Sequence, residues 1–263
     1  MKMKRRVLAM SFMQVFSSPV FYLSIIGVTA LSFISIWERI STIEAGVTVT
    51  YSFDIFISLT MLKKLVVLFA ALPYVASFCS DWKFQYIKLI VIRTGVTKYV
   101  WSKVFTCFVS GFLTVFIGLI LFIAILSLKV PLFPSKNFDQ SAYQPFGSLA
   151  VGEFPILFLL VQIFVFSLAA ALWSVVGLAV SAFIPIHFVA VAAAVIASYF
   201  LEQLTWILPK WLNLYLITKS ADVIHQGPFI SFVYFLFIFI LFSILAGLLF
   251  SYQVRRRVRN EVV

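Results

Sequence analysis

Glu202 stands in a long apolar run with Gln203 beside it, and Gln162 lies in the apolar run before that one. An ionisable group inside such a run must face protein or water rather than lipid. It can serve as a polar point on a transport path. It can equally reach the outer interface or hydrogen-bond a neighbour. Gln162, Glu202 and Gln203 are therefore the candidate translocation residues. Other chemistry has little support. No Gly is followed by Lys, so the phosphate-binding loop of an ATPase is missing. The two histidines, His187 and His225, form no HExxH and have no paired carboxylates nearby, and no G-x-S-x-G turn occurs. No catalytic residue and no metal site is expected, and His187 reads as a turn residue. Cys79 and Cys107 have no metal-ligand spacing and read as two buried thiols.

What must position those residues is a membrane domain. Hydrophobic residues make up 63% of the 263 and charged residues only 11%. A water-soluble fold could not hide that much apolar surface, so lipid must cover it. The formal charge of +11 is no nucleic-acid signal here, because the basic residues flank apolar spans. The Met1–Arg6 start is basic, but the apolar stretch after it continues to Ile36 with no small-x-small site, so no cleavable signal peptide is expected.

A spanning helix needs about 20 mainly apolar residues. Six candidates appear, at about 19–37, 63–79, 104–128, 154–183, 188–208 and 229–252. The reading is an all-α integral membrane protein with one transmembrane domain over 1–263. Ser18 before Pro19 makes a good first helix start. The second span is short, carries Lys63 and Lys64 at its start, and should kink at Pro73. With the first end inside, 13 of the 20 Lys and Arg fall inside and 7 at the outer face. Only Asp81 and Glu261 of the nine acids lie inside. That asymmetry predicts cytoplasmic N- and C-termini. At about 1.5 Å per residue from Phe188, Glu202 is roughly 20 Å from the inner face, in the outer part of the bilayer.

Residues 1–18 place Leu8, Phe12, Val15 and Phe16 at helical spacing after a Lys/Arg cluster, which predicts an amphipathic helix on the inner surface. Three outer segments follow the odd spans: Glu38–Leu62, Lys129–Glu153 and Pro209–Pro228. The last is apolar and aromatic, with Trp211, Leu212, Leu214, Tyr215, Leu216 and Ile217, and should lie in the outer interface. In the fourth and fifth spans, Ala170-xxx-Ser174, Gly177-xxx-Ser181, Ala190-xxx-Ala194 and Ala193-xxx-Ala197 predict a tight hairpin around Pro185. The inner segment Ser80–Lys103 is too apolar for a solvated loop and too charged for a span. It predicts a helix at the membrane surface, ending near Gly95 and open to a partner. Trp82, Tyr86 and Ile90 would supply apolar contact; Lys83, Lys88 and Arg93 would supply charge.

At this loop the chain resembles the membrane subunit of an ABC transporter of the ABC-2 export type. The residues that carry the resemblance are Asp81 after the second span, then Arg93, Thr94-Gly95, Tyr99 and Lys103 at the third. The opening FSSPVFYLSIIGV is also similar to small bacterial permeases of this type. The resemblance implies six spans and an inner coupling helix that docks on a separate ATPase, with Asp81 among the loop's residues. It implies ATP and Mg on that partner, expected in two copies, and none in this chain. It further implies a second permease subunit, identical or related, a bacterial cell membrane, and export of a peptide, antibiotic or other amphipathic substrate. Two other readings stand beside it: the substrate-capturing membrane subunit of an importer, and a membrane scaffold without transport.

Overall fold

The computed structural model describes residues 2–41, 48–58, 60–133, 145–151 and 155–262. The segments expected outside are thus described only in part: 42–47 and 134–144, with Lys136, lie outside the described residues, as do the side chains of Lys2, Lys4, Arg5, Arg6 and Arg39. Every regular element among the described residues is helical.

Among the described residues, five helices are long and apolar enough to cross a membrane: α2 (Pro19–Ser41), α7 (Val96–Ser127), α9 (Pro155–Ser181), α10 (His187–Leu204) and α12 (Pro228–Val262). Their outward faces carry exposed Leu, Ile, Phe and Tyr, such as Leu23, Ile26, Ile125 and Phe237. In water those surfaces would be an aggregation hazard, and in lipid they are matched. The chain is a multi-pass helical membrane protein.

The predicted second span, 63–79, is not one helix. α4 (Thr60–Ala71) ends in a turn over 72–76, and α5 (Ser77–Lys83) resumes after it. Pro73 sits in that turn; it has no N–H to donate and its ring clashes with the preceding turn. The broken segment still runs the length of α10. Lys64 at its start reaches Ser198 near the end of α10, and Ser80 at its finish lies 2.9 Å from the His187 ring at the beginning of α10. Before it, α3 (Val49–Ser58) hangs on the segment after α7 through Val49 N–H to Pro131 O, 3.0 Å.

α7 and α9 occupy the centre, packed on each other and on α2, α4 and α12. Close approach is built from small residues. A Cβ on Gly118 would stand 2.8 Å from Val28 of α2, and one on Gly177 would stand 2.8 Å from the Ala190 carbonyl oxygen and 2.9 Å from the Ala194 Cβ. The α9–α10 hairpin is therefore tight, as the small-residue spacing predicts. Its α10 side uses Ala190 and Ala194, which are buried, while Ala193 and Ala197 are partly exposed.

Both ends of the described chain lie at one end of the bundle. α1 (Lys2–Phe16) packs Phe12 edge-on against Phe105 of α7. It turns into α2 where Ser18 Oγ accepts the Val20 N–H at 3.3 Å. At the far end of the chain, Arg255 of α12 donates to Thr97 Oγ1 at 3.1 Å and Arg257 to the Phe183 carbonyl at 2.6 Å. Lys83, Lys88, Arg93, Lys98 and Arg256 are exposed at this same end. The predicted third and sixth spans run further into it than the apolar runs suggest, α7 starting at Val96 and α12 continuing to Val262.

Candidate functional site

Among the described residues, two buried charge clusters lie at opposite ends of the bundle. The first centres on Glu202. Along α10 the buried residues are Ala190, Ala194, Ser198 and Glu202, one every four positions on a single face. Glu202 is thus the last member of the packing stripe and turns inward, 6% exposed. Its Oε1 is 2.7 Å from Lys64 Nζ and its Oε2 is 3.5 Å from Lys63 Nζ. Lys64 also donates to the Ser198 carbonyl at 3.1 Å. Lys63 lies over the Tyr215 ring, 4.3 Å from its centroid. Tyr215 is placed by α11 (Leu214–Thr218), a short helix that Asn213 caps through its Oδ1 to the N–H groups of Tyr215 and Leu216. A cavity of about 270 Å³ opens on these residues, with Gln203, Tyr199 and Trp206 completing its wall.

Of the three candidate path residues, Glu202 and Gln203 line this cavity and Gln162 does not. Gln162 is buried on α9, and its Oε1 has no hydrogen-bond partner among the described residues. The sequence alone does not join Lys63, Lys64 and Tyr215 to Glu202. The signal it offers is charge arithmetic: two lysines opening one apolar run and one acid closing another, which an ionisable group in a membrane would seek out.

The second cluster is at the basic end. Asp81 of α5 accepts from Lys103 Nζ at 2.9 Å and from the Tyr99 hydroxyl at 2.7 Å, both through Oδ2. Lys103 also lies 5.0 Å from the centre of the Tyr74 ring. So Asp81, Tyr99 and Lys103 converge on one point, which ties α5 to the first turns of α7. A cavity of about 400 Å³ lies beside them, between α1 and residues 90–94, lined in part by Met10, Gln14, Ile90 and Arg93.

The surface segment Ser80–Lys103 is three pieces rather than one helix. α5 ends at Lys83, α6 (Tyr86–Thr94) begins after Gln85, whose φ of 56° makes a sharp corner, and 98–103 already belongs to α7. Gly95 ends α6 as predicted, at φ 80° with its N–H on the Val91 carbonyl. Two of the three expected apolar contacts point into the protein. Trp82 stacks on Phe78 at 5.9 Å and lies under the Arg257 guanidinium at 4.8 Å, while Ile90 packs on the core beside buried Ile87. The outward apolar face of α6 is instead Tyr86, Leu89 and Ile92, with Lys88 and Arg93 exposed around it. Lys83 is exposed at the corner. Leu89 and Ile92 do not stand out in the sequence; their spacing of three from Tyr86 carries the face.

Among the described residues, no group of three His, Cys, Asp or Glu side chains could hold a metal ion, and Cys79 and Cys107 are buried free thiols. No family model, no curated protein and no solved structure matches the chain.

Proposed function

We propose that this chain is the membrane subunit of a bacterial ABC exporter of the ABC-2 type, driven by a separate ATPase. In this reading the broken α4–α5 segment is a sixth crossing, and both chain ends face the cytoplasm of a bacterial cell membrane, with α1 lying in the inner interface. Two ATPase copies bind ATP and Mg on the cytoplasmic side. A second permease subunit completes the path for a peptide, antibiotic or other amphipathic molecule.

The observation that carries the reading is α6. It stands at the basic end, fastened to the body by Ile87 and Ile90, and shows an apolar face of Tyr86, Leu89 and Ile92 ringed by Lys88 and Arg93. An aromatic and apolar anchor within a basic rim fits a groove on a soluble partner, the charges setting orientation more than affinity. Force applied to α6 passes directly to α5, and from there through Asp81 to Tyr99 and Lys103 on α7. Glu202 and Gln203 stand at the other end, where a substrate would leave.

The test is copurification from detergent with an ATPase carrying GxxxxGK[ST] and encoded beside this chain. The Tyr86→Ala/Leu89→Ala double variant should stay folded in the membrane and lose the ATPase. An ATPase that stays bound to the variant and drives transport at the normal rate overturns the reading.

A further inference from the structure

The cavity beside Glu202 holds an unbalanced charge. Lys63 and Lys64 meet one carboxylate, so the cluster carries one net positive charge in a largely apolar setting. The two lysines are not equivalent. Lys64 has the short contact to Glu202 and the Ser198 carbonyl as well. Lys63 is 2% exposed, and its Nζ has no hydrogen-bond partner among the described residues. At 3.5 Å its approach to Glu202 is an ion pair too long for a good hydrogen bond. An ammonium has three donors, and burial without acceptors is costly. The Tyr215 ring face answers the charge in part, but accepts no strong hydrogen bond.

Lys63 is also one of the residues that line the cavity, its Nζ set just behind the wall. The other walls have a consistent chemistry. Tyr199 and Trp206 are more than half exposed and give the mouth an aromatic, apolar rim. At about 270 Å³ the space falls just short of the roughly 300–1,000 Å³ of whole-ligand pockets, so it suits a headgroup whose tail runs out past the rim.

We propose that this cavity binds the compact anionic group, a carboxylate or a phosphate, of an amphipathic molecule. Lys63 receives the anion, Glu202 holds both lysines in place, and Tyr199 and Trp206 flank the apolar part. The inference gives a chemical class to the group that Glu202 and Gln203 would meet on a translocation path. Binding itself does not depend on that path; only the movement of the bound molecule does.

The experiment uses the purified full chain in neutral micelles, with dodecyl phosphate, dodecanoate and dodecyltrimethylammonium as probes and adducts counted by native mass spectrometry. At least one anionic probe should bind well above the cationic one. Dodecyl phosphate alone points to a phosphate-bearing lipid, dodecanoate alone to a carboxylate, and both to a general anion site; each supports the proposal. Lys63→Gln should weaken anion binding about tenfold or more, as expected for one charge-assisted hydrogen bond, and Lys63→Arg should keep it. Anionic probes that bind no better than the cation overturn the proposal on wild-type protein alone, whatever the variants do. Anion binding that is unchanged in folded Lys63→Gln overturns it too. Lys63-dependent binding by a chain that copurifies with no ATPase would sink the exporter reading and leave the anion site standing.

Discussion

Lys103 Nζ stands 2.9 Å from Asp81 Oδ2, and the pair is nearly enclosed, the lysine side chain 5% and the aspartate 14% exposed. It is the strap between the surface segment and α7. Removing one partner of such a pair leaves an uncompensated charge, which costs about 3–5 kcal/mol. Asp81→Ala should therefore lower the thermal midpoint of the detergent-solubilised protein sharply. Asp81→Leu with Lys103→Met should recover much of the loss, because no buried charge remains. A double variant as unstable as the single would mean that the strap works through packing rather than charge.

The apolar runs carry most of the fold, because a lipid-facing helix announces itself by length and hydropathy alone. The break in the second segment is legible at Pro73, but not its extent, since whether the helix resumes depends on tertiary contacts such as Ser80 with His187. The helix ends at Val96 and Val262 lie beyond the apolar runs for one reason: a charged residue ends a hydrophobic stretch without ending a helix. Glu202 is legible as a polar point, while its partners are not. Lys63 and Lys64 meet it only because α4 lies along α10, a long-range fact that no local spacing encodes. By residue type alone Trp82 reads as an outward anchor. The corner at Gln85 changes which residues face out, and a left-handed φ at a glutamine has no strong local signal.

Trp82 and Leu89 should separate stability from partnership. Trp82 is packed between Phe78 and Arg257, so Trp82→Ala should destabilise the isolated protein by roughly 2 kcal/mol, below the cost at a fully buried aromatic. Leu89 is 57% exposed and should leave the isolated protein within about 0.5 kcal/mol when truncated. Thermal unfolding in detergent checks the pair. A Leu89→Ala variant as unstable as Trp82→Ala would show that α6 already has its partner within this chain.

Gly177 is a point of close approach in the α9–α10 hairpin. Its missing Cβ would meet a backbone oxygen at 2.8 Å, and backbone cannot swing aside as a side chain can. Gly177→Ala should force the helices apart and cost about 1–3 kcal/mol, where alanine in a free helix would be favourable. Gly247→Ala is the control, since its nearest neighbour is a Val104 methyl group at 3.1 Å. Equal midpoints for the two variants would remove the close approach as the reason for the glycine.

Glu202 is held by two lysines, and this sets what its replacement does. If it were an outer-interface carboxylate, Glu202→Gln would be nearly silent. Here the change leaves Lys63 and Lys64 side by side, buried, with no counter-charge. Both the lost pairing and the mutual repulsion act against the fold, and the expected cost is about 3–5 kcal/mol. Adding Lys64→Met removes one of the stranded charges together with the residue that made the shortest contact. The pair of substitutions should therefore cost less than the sum of each alone, with a coupling of about 1–3 kcal/mol between neighbours that share a partner. Thermal midpoints of the wild type, both single variants and the double variant close the cycle. A coupling near zero would mean that the lysines stay solvated through the cavity and that Glu202 does not hold them. Activity read on Glu202→Gln alone would then report on the path directly. With strong coupling, activity has to be read on the double variant, in which one stranded charge fewer remains and the carboxylate is still absent.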